Sequence, residues 1–369
     1  MSTLSNLQAA SRKAAQSLAD RDTPFLTNCW YVAAFSSELA IDALKPRTLL
    51  GRPVVMFRDG DGKPHALDDR CPHRSFPLSR GRLERGTITC GYHGLRYGAD
   101  GKCVGIPGQS AAPKGIEVRS YPLLETGPIV WIWMGRSEPA PLPDGLDWIR
   151  EESRWPASRG YFHLPASYIA LHENLLDLTH LSFLHASSFG TPDYALAPYD
   201  VSLDEERGRF AVLRSVIPTR LPPVWGEPTG LSGRDAARIT KSEFRSPAVH
   251  IVTASFHACD QAESERPDFR IATAHLVTPE SPDSTHYFIH HGRNFGIHDA
   301  GITTFMHDQL FTAFREDVDG LTAVEQSVKS TPPGDFYEFS IPSDRAGVAM
   351  RRWLRKAVLA ESPSGPNRP

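Results

Sequence analysis

The apolar positions of this chain change rhythm twice, and each change marks a new architecture. Residues 7–18 carry Leu and Ala among polar residues at helical spacing, which predicts a short amphipathic surface helix. Asn28-Cys29-Trp30-Tyr31-Val32-Ala33-Ala34 then reads as a strand. From there to about Gly135 the apolar residues come in short runs, over 53–57, 65–67, 87–90 and 129–133. Asp59-Gly60-Asp61-Gly62 and Asp100-Gly101 are strong turn sequences between them. Short runs between frequent turns predict a small antiparallel β domain.

Glu138-Pro139-Ala140-Pro141-Leu142-Pro143 reads as a linker. Beyond it a helical stretch covers 168–185. Strand-like runs follow over 209–217, 238–244, 248–256, 269–277 and 285–292, and one long helix over 299–328. A sheet with one long C-terminal helix predicts an α+β fold. The expected layout is an N-terminal segment 1–24, a β domain 25–137 and a larger domain 138–369.

Composition narrows the function classes. The apolar fraction of 40% and charged fraction of 22% are those of an ordinary globular protein, and 369 residues suffice for two domains. A net charge of −3 gives no global attraction to nucleic acid or an anionic membrane. No stretch has the length of a transmembrane helix, and residues 1–22 lack the apolar core of a signal peptide. Of five Cys, Cys29, Cys103 and Cys259 show no framework spacing, which points to a reducing cytoplasm.

The chemistry starts with Cys71-Pro72-His73 and Cys90-Gly91-Tyr92-His93, expected at hairpin tips of the β domain. Each run offers one thiolate and one imidazole, and two sulfurs with two nitrogens can hold zinc or a [2Fe–2S] cluster. A structural zinc site usually draws both Cys from one knuckle and both His from another. Mixed knuckles suit a cluster in which one iron takes both Cys and the other both His. Cys103 reads as a small buried hydrophobe. For Arg74 and Arg96, partner steering and loop hydrogen bonding both stay open. The run Cys71-Pro72-His73-Arg74 … Cys90-Gly91-Tyr92-His93-Gly94-Leu95 … Tyr97 resembles the Rieske loops of aromatic oxygenases.

A second constellation lies in the larger domain. His180 and His185 could serve a 2-His-1-carboxylate triad, which leaves coordination positions open on a non-haem Fe(II). Five residues of regular α-helix would turn them about 140° apart, so the helix must end or widen between them. On the long helix, Leu310, Phe314, Leu321, Val324 and Val328 form an apolar stripe with Asp317 in its middle. A buried carboxylate needs a cation or several donors, so Asp317 is the expected third ligand. Glu316 and Asp319 fall on polar faces and read as solvated. His172 lies beside the motif without matching it. His250, His257, His290 and His291 read as ordinary strand residues, and His275 as one that can reach a pocket.

Asn174-x-x-Asp177-x-x-His180-x-x-x-x-His185, with Arg315-Glu316-Asp317 … Glu325-Gln326, is similar to the catalytic motifs of Rieske non-haem iron oxygenases. The likeness runs from about Asn28 to Gln326. Its implications are an all-β Rieske domain joined to a helix-grip, START-like catalytic domain, and a head-to-tail homotrimer. Asp177 would bridge a His ligand of the iron and a His ligand of a neighbour's cluster, and Asn174 would stand near the iron. The implied reaction uses O2 to O-demethylate or hydroxylate an aromatic acid. The alternative is a phthalate-type ring-hydroxylating dioxygenase. The chain has no nucleotide-binding glycine fingerprint and no second Cys cluster. NAD(P)H is therefore expected to act through a separate reductase carrying flavin and a [2Fe–2S] centre. A plain electron carrier would end near Gly135 and need no His180, His185 or Asp317, and a zinc-dependent structural protein would lack the iron and brown colour of a cluster. Arg245, Arg270 and Arg293 are candidates to hold a substrate acid group, none preferred. Pocket residues are expected from the strands over 209–292 and from around Phe305.

Overall fold

The computed structural model describes residues 3–111 and 115–361, so the ends of the expected outer segments, 1–2 and 362–369, lie outside the described residues. The chain divides into two compact units. One is Thr27–Leu142 with Thr278–Ser281; the other is Met1–Leu26 with Pro143–Val277 and Pro282–Pro369. No helix among the described residues is long and apolar enough to cross a membrane.

The first unit is built from β1 (Trp30–Phe35), β2 (Lys45–Leu49), β3 (Arg52–Arg58), β4 (Pro64–Asp68), β5 (Arg82–Glu84), β6 (Thr87–Thr89), β7 (Arg96–Tyr97), β8 (Cys103–Gly105), β9 (Ser120–Tyr121), β10 (Leu123–Thr126) and β11 (Ile129–Trp133). They form three small sheets, in the orders β1-β11-β10, β2-β3-β4-β9 and β5-β6-β7-β8. Every residue of β1 and β11 is buried, which explains their unbroken apolar runs. A separate core joins Val55, Phe57, Leu67, Leu78, Ile88 and Tyr97 to the sulfurs of Cys71 and Cys90.

The second unit carries one seven-stranded sheet. Its strands are β12 (Ala157–Leu164), β13 (Tyr199–Asp204), β14 (Arg209–Thr219), β15 (Ala236–Ser246), β16 (Val249–Ala258), β17 (Phe269–Ser281) and β18 (Ser284–Arg293). Their order is β12-β18-β17-β16-β15-β14-β13. Helices α1 (Thr3–Ala15), α2 (Tyr168–Leu176), α3 (Pro223–Thr229), α4 (Ala300–Ser330) and α5 (Arg345–Glu361) complete it. The expected α+β class is what the chain adopts.

Asp299 caps α4 by accepting from the Gly301 and Ile302 N–H groups. The helix then lies against the sheet, with Phe314 edge-on to His275 of β17. Gly160 of β12 admits Phe311 so closely that an added Cβ would stand 1.8 Å from its ring. The expected stripe needs one correction. Val324 is 51% exposed, and Glu325 takes the buried place, paired with Arg21 at 3.1 Å. Helix α5, which no pattern had singled out, seats Ala346, Ala349 and Met350 in a second core with Phe210, Val212 and Phe244.

The helix expected over 168–185 is shorter. Ser167 caps its start and α2 stops at Leu176. Asp177 then accepts the Thr179 N–H, a local bond that competes with the helical ladder, and a 3₁₀ turn runs over Leu178–Ser182. The α-helix therefore breaks before His180, and the 3₁₀ turn that carries His180 ends at Ser182, between His180 and His185.

Candidate metal centres

The two Cys-His loops of the first unit are copies of one another in backbone geometry. Cys71 N–H donates to the Phe76 carbonyl and accepts at its own carbonyl from Ser75; Cys90 does the same with Leu95 and Gly94. The matching residues Ser75 and Gly94 both have positive φ, 57° and 74°. This repeat turns each sulfur inward and each imidazole outward. Cys71 and Cys90 are buried, while His73 and His93 are exposed with ring centroids 4.7 Å apart.

All five cysteines are free, so these sulfurs remain available as ligands. Burial pushes the Cys90 thiol up, and backbone N–H groups of Tyr92 and His93 favour its thiolate. The buried Tyr97 hydroxyl lies 3.2 Å from Cys71 Sγ. Two enclosed sulfurs beside two open nitrogens fit a cluster with one iron inside and one near the surface. Cys103 is buried at the start of β8, as expected for a small hydrophobe.

In the second unit the break at Asp177 brings His180 and His185 to Asp317 of α4. Their Nε2 atoms lie 3.5 and 3.1 Å from the same oxygen, Asp317 Oδ1. The three ligand atoms fall within 4.8 Å of one another. Asn174 Nδ2 donates to that oxygen at 3.1 Å. Burial opposes charge on Asp317, but the His185 hydrogen bond and both imidazoles outweigh it and hold the carboxyl below its ordinary value. Burial pushes His180 down, while Asp317 and Glu316 overcome burial at His185 and raise it. Two imidazole nitrogens and a carboxylate with open space beside them are a donor set for Fe(II).

The Asp177 carboxylate spends one oxygen on Thr179 N–H, and its backbone carbonyl, rather than the carboxylate, faces His180 Nδ1. Glu316 is not the solvated residue its position predicts. Its Oε2 lies 2.7 Å from His185 Nδ1, and Ser187 and Ser188 donate to it. The preceding loop folds over α4 and covers that face, a contact helical periodicity cannot show. His172 stays apart, its Nε2 3.0 Å from the Pro247 carbonyl.

A narrow cavity of about 70 Å³ opens beside the triad. Leu175, Leu178, Phe189, Leu310 and Phe314 supply its apolar walls. His275 lines it as expected, with Nδ1 2.5 Å from the Tyr287 hydroxyl. Phe305 does not line it; residues one and two turns further along α4 do. The three arginines considered as anchors are engaged elsewhere. Arg245 pairs with Glu243 and Asp144, Arg270 with Asp268, and Arg293 donates to Thr303 and two carbonyls. The arginine that does line the cavity is Arg238.

Comparison with known proteins agrees with this division of labour. Residues 29–122 match the Rieske [2Fe-2S] domain family, and residues 164–360 match the vanillate O-demethylase oxygenase C-terminal domain family. The toluene-4-sulfonate monooxygenase system iron-sulfur subunit of Comamonas testosteroni is 33% identical, over 92% of this chain and 99% of that one. The dicamba O-demethylase oxygenase component of Stenotrophomonas maltophilia is 30% identical, over 92% and 99%. A crystal structure of dicamba monooxygenase bound to dicamba superposes with a TM-score of 0.82 at 27% identity, over 92% of this chain and 99% of that one.

Proposed function

This chain belongs to the Rieske oxygenases of the vanillate O-demethylase type, and from that premise we propose that it is the terminal component of a multi-component monooxygenase for aromatic acids, with O-demethylation as its reaction. The observation that carries the reading is one cavity lined by His180, His185 and Asp317, in a chain that also holds a Rieske [2Fe–2S] domain. Relatives that act on dicamba, vanillate and toluene-4-sulfonate support the substrate class.

Cys71, His73, Cys90 and His93 would hold the cluster; His180, His185 and Asp317 would hold a mononuclear Fe(II). When bound, the cluster supplies electrons singly and the mononuclear iron supplies dioxygen activation. The protein's share is positioning. With the metal bound, Glu316 would hold the proton on His185 Nδ1 and leave Nε2, which faces Asp317, to serve as the ligand. Asn174 orients the Asp317 carboxylate. The leucine and phenylalanine walls keep bulk water from the reacting carbon.

Electrons come from NAD(P)H through a separate reductase bearing flavin and a [2Fe–2S] centre. The working assembly is a head-to-tail homotrimer in the cytoplasm. The second oxygen of Asp177, which has no partner among the described residues, is then free for a cluster histidine of another copy. The test is formaldehyde release measured with O2 uptake, using a surrogate reductase, NADH and a panel of methoxylated and unmethoxylated aromatic acids. Formaldehyde equal to O2 consumed supports demethylation. O2 uptake that yields a ring diol instead overturns it in favour of dioxygenation, and turnover with NADH and no reductase overturns the partner.

A further inference from the structure

The cavity beside the triad has an unbalanced wall. Arg238 of β15 is 3% exposed and makes no ion pair among the described residues. Its Nη1 donates to the Phe189 carbonyl at 3.1 Å, its guanidinium lies 4.5 Å over the Tyr194 ring, and its Nε is enclosed without a partner. Burial pushes the guanidinium down, while Asp193 favours its charge through space. A buried cation in this state lacks a hydrogen-bonded carboxylate among the described residues.

Two further donors share that wall. Thr240 follows Arg238 by two residues on β15 and so stands on the same face of the sheet. Its hydroxyl is enclosed and unpartnered. The Trp225 indole N–H is likewise enclosed and unpartnered. Trp225 stacks at 5.4 Å on Phe256, the residue across the strand from Arg238. All three side chains line the cavity that His180, His185 and Asp317 also line. Buried donors are almost always paired, so three on one wall call for an acceptor that the chain does not supply.

We propose that Arg238, Thr240 and Trp225 form an anion subsite that binds the carboxylate or sulfonate of a single-ring aromatic substrate. This rests on the oxygenase reading above. An oxyanion satisfies a guanidinium and two neutral donors together. With the acid group held at Arg238, the rest of the ring is left for the part of the cavity lined by His180, His185 and Asp317. A cavity of about 70 Å³ suits a guest of one ring rather than several.

The test measures binding, not turnover, so its outcome is independent of whether demethylation occurs. Calorimetric titration of the intact protein uses 4-methoxybenzoate, 4-methylbenzenesulfonate and the neutral 4-methylanisole. The expected result is that Arg238→Met weakens the anions by roughly 10- to 100-fold, the range of a hydrogen bond to a charged group, and leaves 4-methylanisole unchanged. Arg238→Lys should restore part of the loss, and Thr240→Val should weaken the anions while the fold is kept. The better anion for the native protein separates a carboxylate site from a sulfonate site. Equal binding of neutral and anionic ligands by the native protein overturns the proposal. So does an Arg238→Met variant, folded by circular dichroism, that loses all three ligands alike.

Discussion

Removing the Glu316 carboxylate should loosen the mononuclear metal without touching a ligand. Glu316 Oε2 stands 2.7 Å from His185 Nδ1 and takes a 2.6 Å bond from Ser188, with Ser187 on its other oxygen. His185 is fully buried, so its Nδ1 depends on this acceptor. A buried hydrogen bond to a charged group is worth about 1.5–3 kcal/mol. Loss of a partner behind a metal-binding His typically costs 10- to 100-fold in metal affinity, which is about 1.4–2.8 kcal/mol. The two routes agree, and Glu316→Ala should weaken the site by that amount. Glu316→Gln keeps an acceptor oxygen and should cost less. Asp319→Ala, exposed on the same helix, should cost nothing. Protein stripped of mononuclear metal is titrated with Co(II), read by its visible ligand-field bands, while the Rieske absorption confirms an intact cluster. Unchanged Co(II) affinity in Glu316→Ala would refute the assigned role, and a loss as large in Asp319→Ala would show the effect to be nonspecific.

Other perturbations test other parts of the chain. Tyr97→Phe removes the hydroxyl 3.2 Å from Cys71 Sγ and should lower the cluster's reduction potential at unchanged iron content, read by redox titration; an unshifted potential would argue against that contact. Gly160→Ala places a Cβ 1.8 Å from the Phe311 ring and should cost about 1–3 kcal/mol of stability, seen as a lower thermal midpoint. Acid should unfold the protein through its neutral buried histidines. Burial holds His172 down at about 4, and His290 and His291 at about 3, against about 6.5 in the unfolded chain. Each is neutral when folded and protonated when unfolded between those values. Stability is therefore full above about pH 6.5 and falls on acidification toward the folded values, by up to about 4 kcal/mol per pH unit near pH 5 for three groups. Urea midpoints that stay level from pH 7 to pH 5 would contradict this.

What was legible in the sequence depended on how local the cause is. The Cys-His loops could be read because each is a single turn whose ligands sit within four residues, and the repeated backbone bonds at Cys71 and Cys90 bear that locality out. Asp317 could be read because a carboxylate inside an apolar stripe is costly wherever the helix packs. The same stripe misplaced Val324 and Glu325, because the choice between them depends on Arg21, some 300 residues away in sequence. The end of α2 was also misplaced. Periodicity continues past Asp177, and only the side-chain bond to Thr179 N–H stops the helix there.

Arg238 and Glu316 mark the limit of such reading, for opposite reasons. Both look like ordinary charged residues on an alternating strand and a polar helix face. Glu316 acquires its place when the loop over Ser187 and Ser188 folds onto α4, which converts an exposed face into the back wall of His185. Arg238 acquires its place because the adjacent carbonyl and aromatic ring take up part of its bonding capacity and, among the described residues, no carboxylate hydrogen-bonds to it. One charge is buried because the protein completes its bonds. The other is buried with its bonding incomplete, and a cation kept in that state beside a reaction cavity costs stability unless a ligand completes it. Cost without a structural return is the physical mark of a group retained for binding, which is why the missing partner of Arg238 is sought in the substrate.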